Sequence, residues 1–168
     1  DMPEGEVQDV IFESFIETDK LRASLGKITH TRRSGYVEMT VGVLEAGGHM
    51  KSLSPSITLA ESTILSVEEK FQGGTGVNIT PPPKEIISAK NLNKVKNSVE
   101  KVAKLVGLRG YARIDIFVEV RTGNIVVIEI NTLPGLTPST VIYHQALAEN
   151  PPIYPTQLLE KMIKNADY

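Results

Sequence analysis

The feature that most limits what this chain can fold into is a paired run in its C-terminal half. Gly110 to Val120 and Asn124 to Ile130 are dense in Val, Ile and aromatic residues, and Thr122-Gly123 between them is a turn signal. Two strands joined this tightly must pair antiparallel. A sheet is therefore present, and the rest of the chain has to cover it. Tyr36 to Glu45 is β-branched and partly alternating, so it reads as another strand. Gly47-Gly48 turns the chain into a returning strand from His49 to about Leu59. Asp9 to Ile16 (DVIFESFI) reads as a first strand. Residues 17 to 35 read as a polar connector with a weak strand near Lys27 to Thr31.

Helical signals stand between and after these strands. Ser88 is placed to cap a helix from Ala89 to Val106. Its apolar positions Leu92, Val95, Val99, Val102 and Val106 step by three and four, which makes one buried stripe. Gly107 supplies a left-handed stop. Thr137 and Pro138 open a second helix that runs to about Glu149, ahead of Pro151-Pro152. A last amphipathic helix starts at Pro155 and buries Leu158, Leu159, Met162 and Ile163. Residues 69 to 83, with three Gly and three consecutive Pro, read as a long surface loop. Antiparallel strand pairs with helices between them make an α+β fold.

The hairpin also carries the chemistry. Glu129 and Asn131 are two apart on a strand, so they project from one face. A three-residue turn of Arg121, Thr122 and a left-handed Gly123 would pair Val120 with Asn124. Asp115 then lies opposite Glu129, and Arg113 opposite Asn131. A two-residue turn would put Asp115 on the other face. The apolar flanks Val126, Val127, Ile128 and Ile130 suggest that the face is buried. Two carboxylates brought together there need a cation. Oxygen donors without Cys or His favour Mg²⁺ or Mn²⁺. The alternative is a structural acid pair neutralised by Arg113. Arg113 is either an oxyanion-gripping group or an ordinary salt-bridge partner of Glu129 or Asp115. Past Asn131, Pro134-Gly135 turns the chain toward a helix start, with hydroxyls at Thr137, Ser139 and Thr140. This suits an anion site, and it equally suits a plain capped helix.

Composition narrows the classes. The 168 residues hold 18 Lys and Arg against 20 Asp and Glu, a net charge of −2. That balance argues against a non-specific nucleic-acid binder or a polybasic membrane protein. There is no Cys, which excludes disulfides, thiolate metal sites and cysteine nucleophiles. It also fits a cytoplasmic location. No apolar run approaches the roughly 20 residues of a membrane span. The chain begins at Asp1 with neither a basic nor an apolar leader pattern, so it is expected to be one domain, residues 1–168, taken from a larger protein. His30, His49 and His144 are scattered and read as surface or packing residues.

GYARID followed by IEINTLPGLTPST resembles the C-terminal end of the D-alanine–D-alanine ligase family of ATP-grasp enzymes. The order Arg-x-Asp, hairpin, Glu-x-Asn-Thr-x-Pro-Gly-hydrophobic-Thr carries the resemblance. It implies the C-terminal portion of an ATP-grasp fold, and formation of D-alanyl-D-alanine or a related dipeptide through an acyl phosphate in cell-wall synthesis. It implies that Asp115, Glu129 and Asn131 hold two Mg²⁺ (or Mn²⁺) ions. Arg113 and the backbone N–H of Gly135 would stabilise the tetrahedral intermediate, and Thr140 would hold a substrate carboxylate. IFESFI looks like the adenine hinge, with Glu13 facing the adenine amino group and backbone near Phe15 and Ile16 meeting the ring. Glu38 matches the ribose-binding acid. SVEEKFQGGTG resembles the mobile phosphate loop, which puts Lys70 on the ATP phosphates.

Partners implied by the resemblance are small molecules, ATP and D-alanine-like amino acids, with a homodimer in a longer protein and neither nucleic acid nor membrane. The family's N-terminal domain and the first part of its ATP-grasp domain are missing from these residues. Asp19 to Gly35 is longer than the usual connection to Glu38. Phe71 stands where many members carry Tyr, a difference associated with hydroxy-acid acceptors. Rival readings are a nucleotide-binding module inactive on its own, and an ATP-grasp ligase acting on another amino acid or a hydroxy acid.

Overall fold

The structure is a computed structural model that describes residues 11–24, 27–59 and 77–166 of the chain. Its centre is a four-stranded antiparallel sheet in the order β4-β3-β7-β8. β3 is Tyr36–Ala46, β4 is His49–Ser52, β7 is Tyr111–Glu119 and β8 is Asn124–Asn131. Two small hairpins flank it: β1 (Lys20–Ser24) with β2 (Lys27–Thr31), and β5 (Ile57–Leu59) with β6 (Val77–Ile79). The helices are α1 (Ala89–Leu105), α2 (Val141–Leu147) and α3 (Pro155–Lys164). Mixed antiparallel sheet and helices make the fold α+β, as the sequence implied.

One face of the sheet is buried along β3 and β7. Val37, Met39, Val41 and Val43 of β3 join Ala112, Ile114, Ile116 and Val118 of β7 and Val95, Val99 and Ala103 of α1. Strict alternation in β7 puts these residues on one side and Arg113, Asp115 and Phe117 on the other. Each fully buried Val or Ile here is worth about 1.5–3 kcal/mol relative to exposure. The helix α1 is capped as expected, with Ser88 Oγ accepting from Asn91 N at 3.2 Å. Its buried stripe ends in Ala103, while Val106 is 55% exposed beyond the last turn. Gly107 has the expected left-handed φ of 70°.

The second face is covered at one end only. Leu44 and Leu53 pack with Ile142, Tyr143 and Ala146 of α2 and Leu158 and Met162 of α3. In β3 the buried and half-buried residues alternate up to Thr40, then every residue from Val41 to Glu45 is buried. The change marks where the helices begin. Past it lies an open stretch bearing Glu38, Thr40, Asp115 and Glu129.

Several sequence expectations change. No strand forms over the described part of Asp9–Ile16; residues 11–19 are irregular, and Ile11, Phe12 and Phe15 are 87%, 93% and 90% exposed. Those side chains have no sheet to bury them here. The connector 17–35 instead holds a complete hairpin, β1–β2. The return from Gly48 is two strands, because Leu53, Ser54 and Pro55 break it before β5. The supposed loop 69–83 is described only from Val77, where β6 pairs with β5. The helix expected from Thr137 starts at Val141 with Thr140 as N-cap and ends at Leu147. In α3, Leu158 and Met162 are buried, but Ile163 is 62% exposed. Among the described residues no helix is long and apolar enough to cross a membrane.

Candidate active site on the open sheet face

The site is built by register. β3, β7 and β8 place Thr40, Asp115 and Glu129 in one row, and Gly42, Arg113 and Asn131 in the next. Directly paired residues share a face, so the two rows converge. The row arises differently from expectation. Glu119, not Val120, pairs with Asn124, so the turn has one more residue, 120–123. Continued without interruption, that register would set Asp115 against Ile128. A bulge between Ile116↔Val127 and Asp115↔Glu129 takes up Ile128 and restores the pair. Gly123 is left-handed, φ 70°, as the turn reading required.

The turn is held by α1. Asn91 Nδ2 donates to Val120 O at 3.0 Å and to Arg121 O at 2.9 Å. Lys94 Nζ donates to Thr122 O and to Asn124 Oδ1. The register that sets the site is thus fixed from the helix on the covered face.

Within the site, Arg113 Nη2 lies 3.0 Å from Asp115 Oδ2 and 3.4 Å from Glu129 Oε1. One guanidinium therefore bridges both carboxylates. Thr40 Oγ1 donates to Asp115 Oδ1 at 2.8 Å. Arg113 Nε is buried with no hydrogen-bond partner among the described residues. The face is open rather than buried: the Glu129 side chain is 59% exposed and β8 is an edge strand with Val126, Val127 and Ile128 partly exposed. Apolar flanks were a poor guide because nothing among the described residues covers that edge. Asn131 Oδ1 accepts from Leu133 N at 3.1 Å, so its amide shapes the turn that follows β8.

The other sequence-derived positions divide. Glu38 is on β3 opposite Phe117, on the same face as Thr40 and Asp115. Thr140 caps α2, and its Oγ1 lies 3.0 Å from Thr137 Oγ1. Gly135 is exposed in the loop between β8 and α2, and a Cβ there would meet nothing within 4 Å. Glu13 and Phe15 are exposed and Ile16 is half-buried in the irregular segment before β1. Lys70 and Phe71 lie outside the described residues.

Two residues escaped sequence reasoning. Thr40 looked like any β-strand threonine. His30 is no idle surface residue, since its Nε2 is 2.7 Å from Asp19 Oδ2. Asp19 also accepts from the backbone N–H groups of Arg33 (2.8 Å), Ser34 (3.0 Å) and Gly35 (2.8 Å). Burial alone would raise its carboxyl; the N–H of Arg33, the His30 ring and the N–H groups of Gly35 and Ser34 together hold it below the ordinary value. No local sequence signal marks this nest, because Asp19 and Gly35 are sixteen positions apart in the chain with the β1–β2 hairpin between them.

A family model described as D-ala D-ala ligase C-terminus matches residues 28–164, which include every residue of the two rows. The chain belongs to that family. It is similar to the D-alanine–D-alanine ligase of Carboxydothermus hydrogenoformans, 31% identical over 76% of this chain and 39% of the relative. It is also similar to that of Rickettsia typhi, 28% identical over 100% of this chain and 44% of the relative. The chain thus spans less than half the length of these ligases. Among solved structures, the VanG D-Ala:D-Ser ligase from Enterococcus faecalis superposes with a TM-score of 0.59 at 22% identity, over 82% of this chain and 38% of that one. The D-alanine–D-alanine ligase from Bacillus anthracis complexed with ATP gives 0.54 at 20% identity, over 82% and 39%. The shared architecture is the C-terminal portion of an ATP-grasp fold, the fold the sequence resemblance implied.

Proposed function

We propose that residues 1–168 are the C-terminal part of the ATP-grasp domain of an ATP-dependent carboxylate–amine ligase. The reaction joins D-alanine to D-alanine or a related acceptor through an acyl phosphate. The observation that carries this reading is the row Thr40–Asp115–Glu129 with Arg113 bridging its carboxylates.

The donor set fits the implied metal. Asp115, Glu129 and Asn131 offer oxygens only, on one face, at an open edge where ligand phosphates can complete a shell. Magnesium held there would neutralise charge on a transferring phosphoryl group. Arg113, which lies against both carboxylates, is assigned to the oxyanion of the substrate. Its orphaned Nε is a donor without an acceptor, suited to an oxyanion. Thr40 keeps Asp115 oriented through the hydrogen bond to Oδ1. Thr140, at the head of α2, is assigned to the acceptor carboxylate, and the N–H of Gly135 to the developing oxyanion. Glu38 is assigned to the ribose, Lys70 to the ATP phosphates, and Glu13, Phe15 and Ile16 to the adenine. Partners are small molecules, and a longer form of the protein is proposed to be cytoplasmic and dimeric.

The test is D-alanine-dependent ADP release with Mg-ATP, measured on the protein as its gene encodes it. Glu129→Gln should lower turnover by at least about 100-fold, as loss of a charge-stabilising group does, with an unchanged circular dichroism spectrum, because its side chain is 59% exposed. Full activity in that variant would sink the metal assignment.

A further inference from the structure

A fully buried polar side chain lies outside the site described above. Gln145 is 0% exposed and is the fifth residue of the seven-residue helix α2. Its Oε1 accepts from Gly42 N at 2.8 Å. Its Nε2 donates to Thr40 O at 2.8 Å and to Ser56 Oγ at 3.1 Å. A buried amide that satisfies both its ends on backbone of one strand is a clamp, since each bond lost would orphan a buried group.

The place it clamps matters. β3 pairs with β4 from Val43 to Ala46 and meets Ser56 only at Thr40. Between those contacts Gly42 O accepts from Leu53 N at 2.8 Å, while Gly42 N turns to the side chain of Gln145. Gly42 lies directly opposite Arg113, and Thr40 directly opposite Asp115. The residue is therefore glycine for a reason: a Cβ would sit 2.7 Å from Gln145 Oε1, 3.1 Å from Ile142 Cγ1 and 3.2 Å from Leu53 Cδ1. The close approach of helix and strand depends on the absence of that atom.

Thr140, five residues before Gln145, heads the same helix, about 7.5 Å away along its axis at 1.5 Å per residue. We infer that Gln145 is a positioning residue for the acceptor, fixing how far the Thr140 end of α2 stands from the Arg113–Asp115 pair. The inference rests on the ligase reading, in which Thr140 holds the acceptor carboxylate while Arg113 meets the reacting oxygen. An acceptor gripped by one element, whose amine attacks an acyl phosphate held at another with phosphate leaving, needs the two held to a fraction of an ångström. Gln145 supplies that tie from inside the core without touching substrate. It is also the only link in this group that joins α2 to the strand β5 residue neighbour Ser56, whose Oγ lies 2.5 Å from Thr80 Oγ1 just past β6.

The experiment is steady-state kinetics on the protein as its gene encodes it, with D-alanine as acceptor probe and Mg-ATP varied separately. Gln145→Met keeps the length and removes both hydrogen-bonding ends. Gly42→Ala is the milder second variant, pushing the same contact apart from the strand side. Each should raise the acceptor KM by about 10-fold or more, since a misplacement of about 1 Å costs on the order of 100-fold in rate, while the KM for ATP stays within about 2-fold. In a Gln145→Ala background, Gly42→Ala should add less than it costs in the wild type, because the 2.7 Å contact is gone and only those with Ile142 and Leu53 remain. Folded variants with wild-type acceptor KM, or with both KM values raised alike, overturn the inference and leave the ligase reading standing. A wild-type protein without D-alanine-dependent ADP release overturns the ligase reading and this inference with it.

Discussion

Asp19→Ala is the sharpest test of how the strand carrying Glu38 and Thr40 is held. The Asp19 side chain is 0% exposed and accepts from three consecutive backbone N–H groups and from His30. Its removal strands donors at Arg33, Ser34 and Gly35, the turn that leads into β3. Arg33 and Ser34 are exposed, so water recovers part of the loss. Hydrogen bonds to a charged acceptor are worth about 1.5–3 kcal/mol each and are not additive, which puts the cost at roughly 2–4 kcal/mol. At about 2–4 °C per kcal/mol for a chain of this size, Tm should fall by about 4–16 °C. Asp19→Asn keeps one carbonyl oxygen for the three N–H groups and should lose about half as much. The pH dependence has a definite sign. A carboxyl held below its ordinary value stabilises the fold fully above the unfolded pKa of about 4. That contribution fades as pH falls through the lower folded value. Thermal melts from pH 7 down to pH 2 should therefore show the wild-type and Ala curves far apart at neutrality and converging in acid. A constant gap at every pH, or a gap below about 1 °C at pH 7, would refute the nest as a charge-based clamp.

Two further outcomes follow from the geometry. Gly123→Ala forces a Cβ into a left-handed turn, 2.8 Å from Asn91 O, and should cost at least about 2 kcal/mol, read as a lower Tm with activity lost in parallel because this turn sets the Asp115↔Glu129 pair. Thr40→Val keeps the strand shape but removes the hydroxyl 2.8 Å from Asp115 Oδ1; it should weaken Mn²⁺ binding, measured by electron paramagnetic resonance, by about 10-fold, as losing a group that orients a metal-binding carboxylate does.

The sheet was legible in the sequence because its signal is local. β-branched alternation in Tyr36–Ala46 and Tyr111–Glu119 needs no partner to be seen, and neither does the stepping of Val95 and Val99 in α1. The β1–β2 hairpin was nearly invisible, since its strands are polar and its stability comes from Asp19 closing on Arg33 to Gly35. The first strand was overread because Ile11, Phe12 and Phe15 are apolar without being covered.

The candidate site shows the same division more sharply. That Asp115 meets Glu129 follows from counting through the turn, but the count reached the right pair by a wrong path. A longer turn moved the register one way and the bulge at Ile128 moved it back. Nothing in the run Val126-Val127-Ile128 marks which residue bulges, because all three are β-branched and all three are partly exposed. What selects it is the cost of the alternative. With no bulge Asp115 would face Ile128, Arg113 would lose Glu129, and Thr40 and Asp115 would still pair on a row without a second carboxylate. The bulge gives up one ladder position on an edge strand, where water satisfies the freed groups. The site's two carboxylates are thus brought together by a local irregularity that is cheap at the rim of the sheet, where Glu129 is also open to solvent.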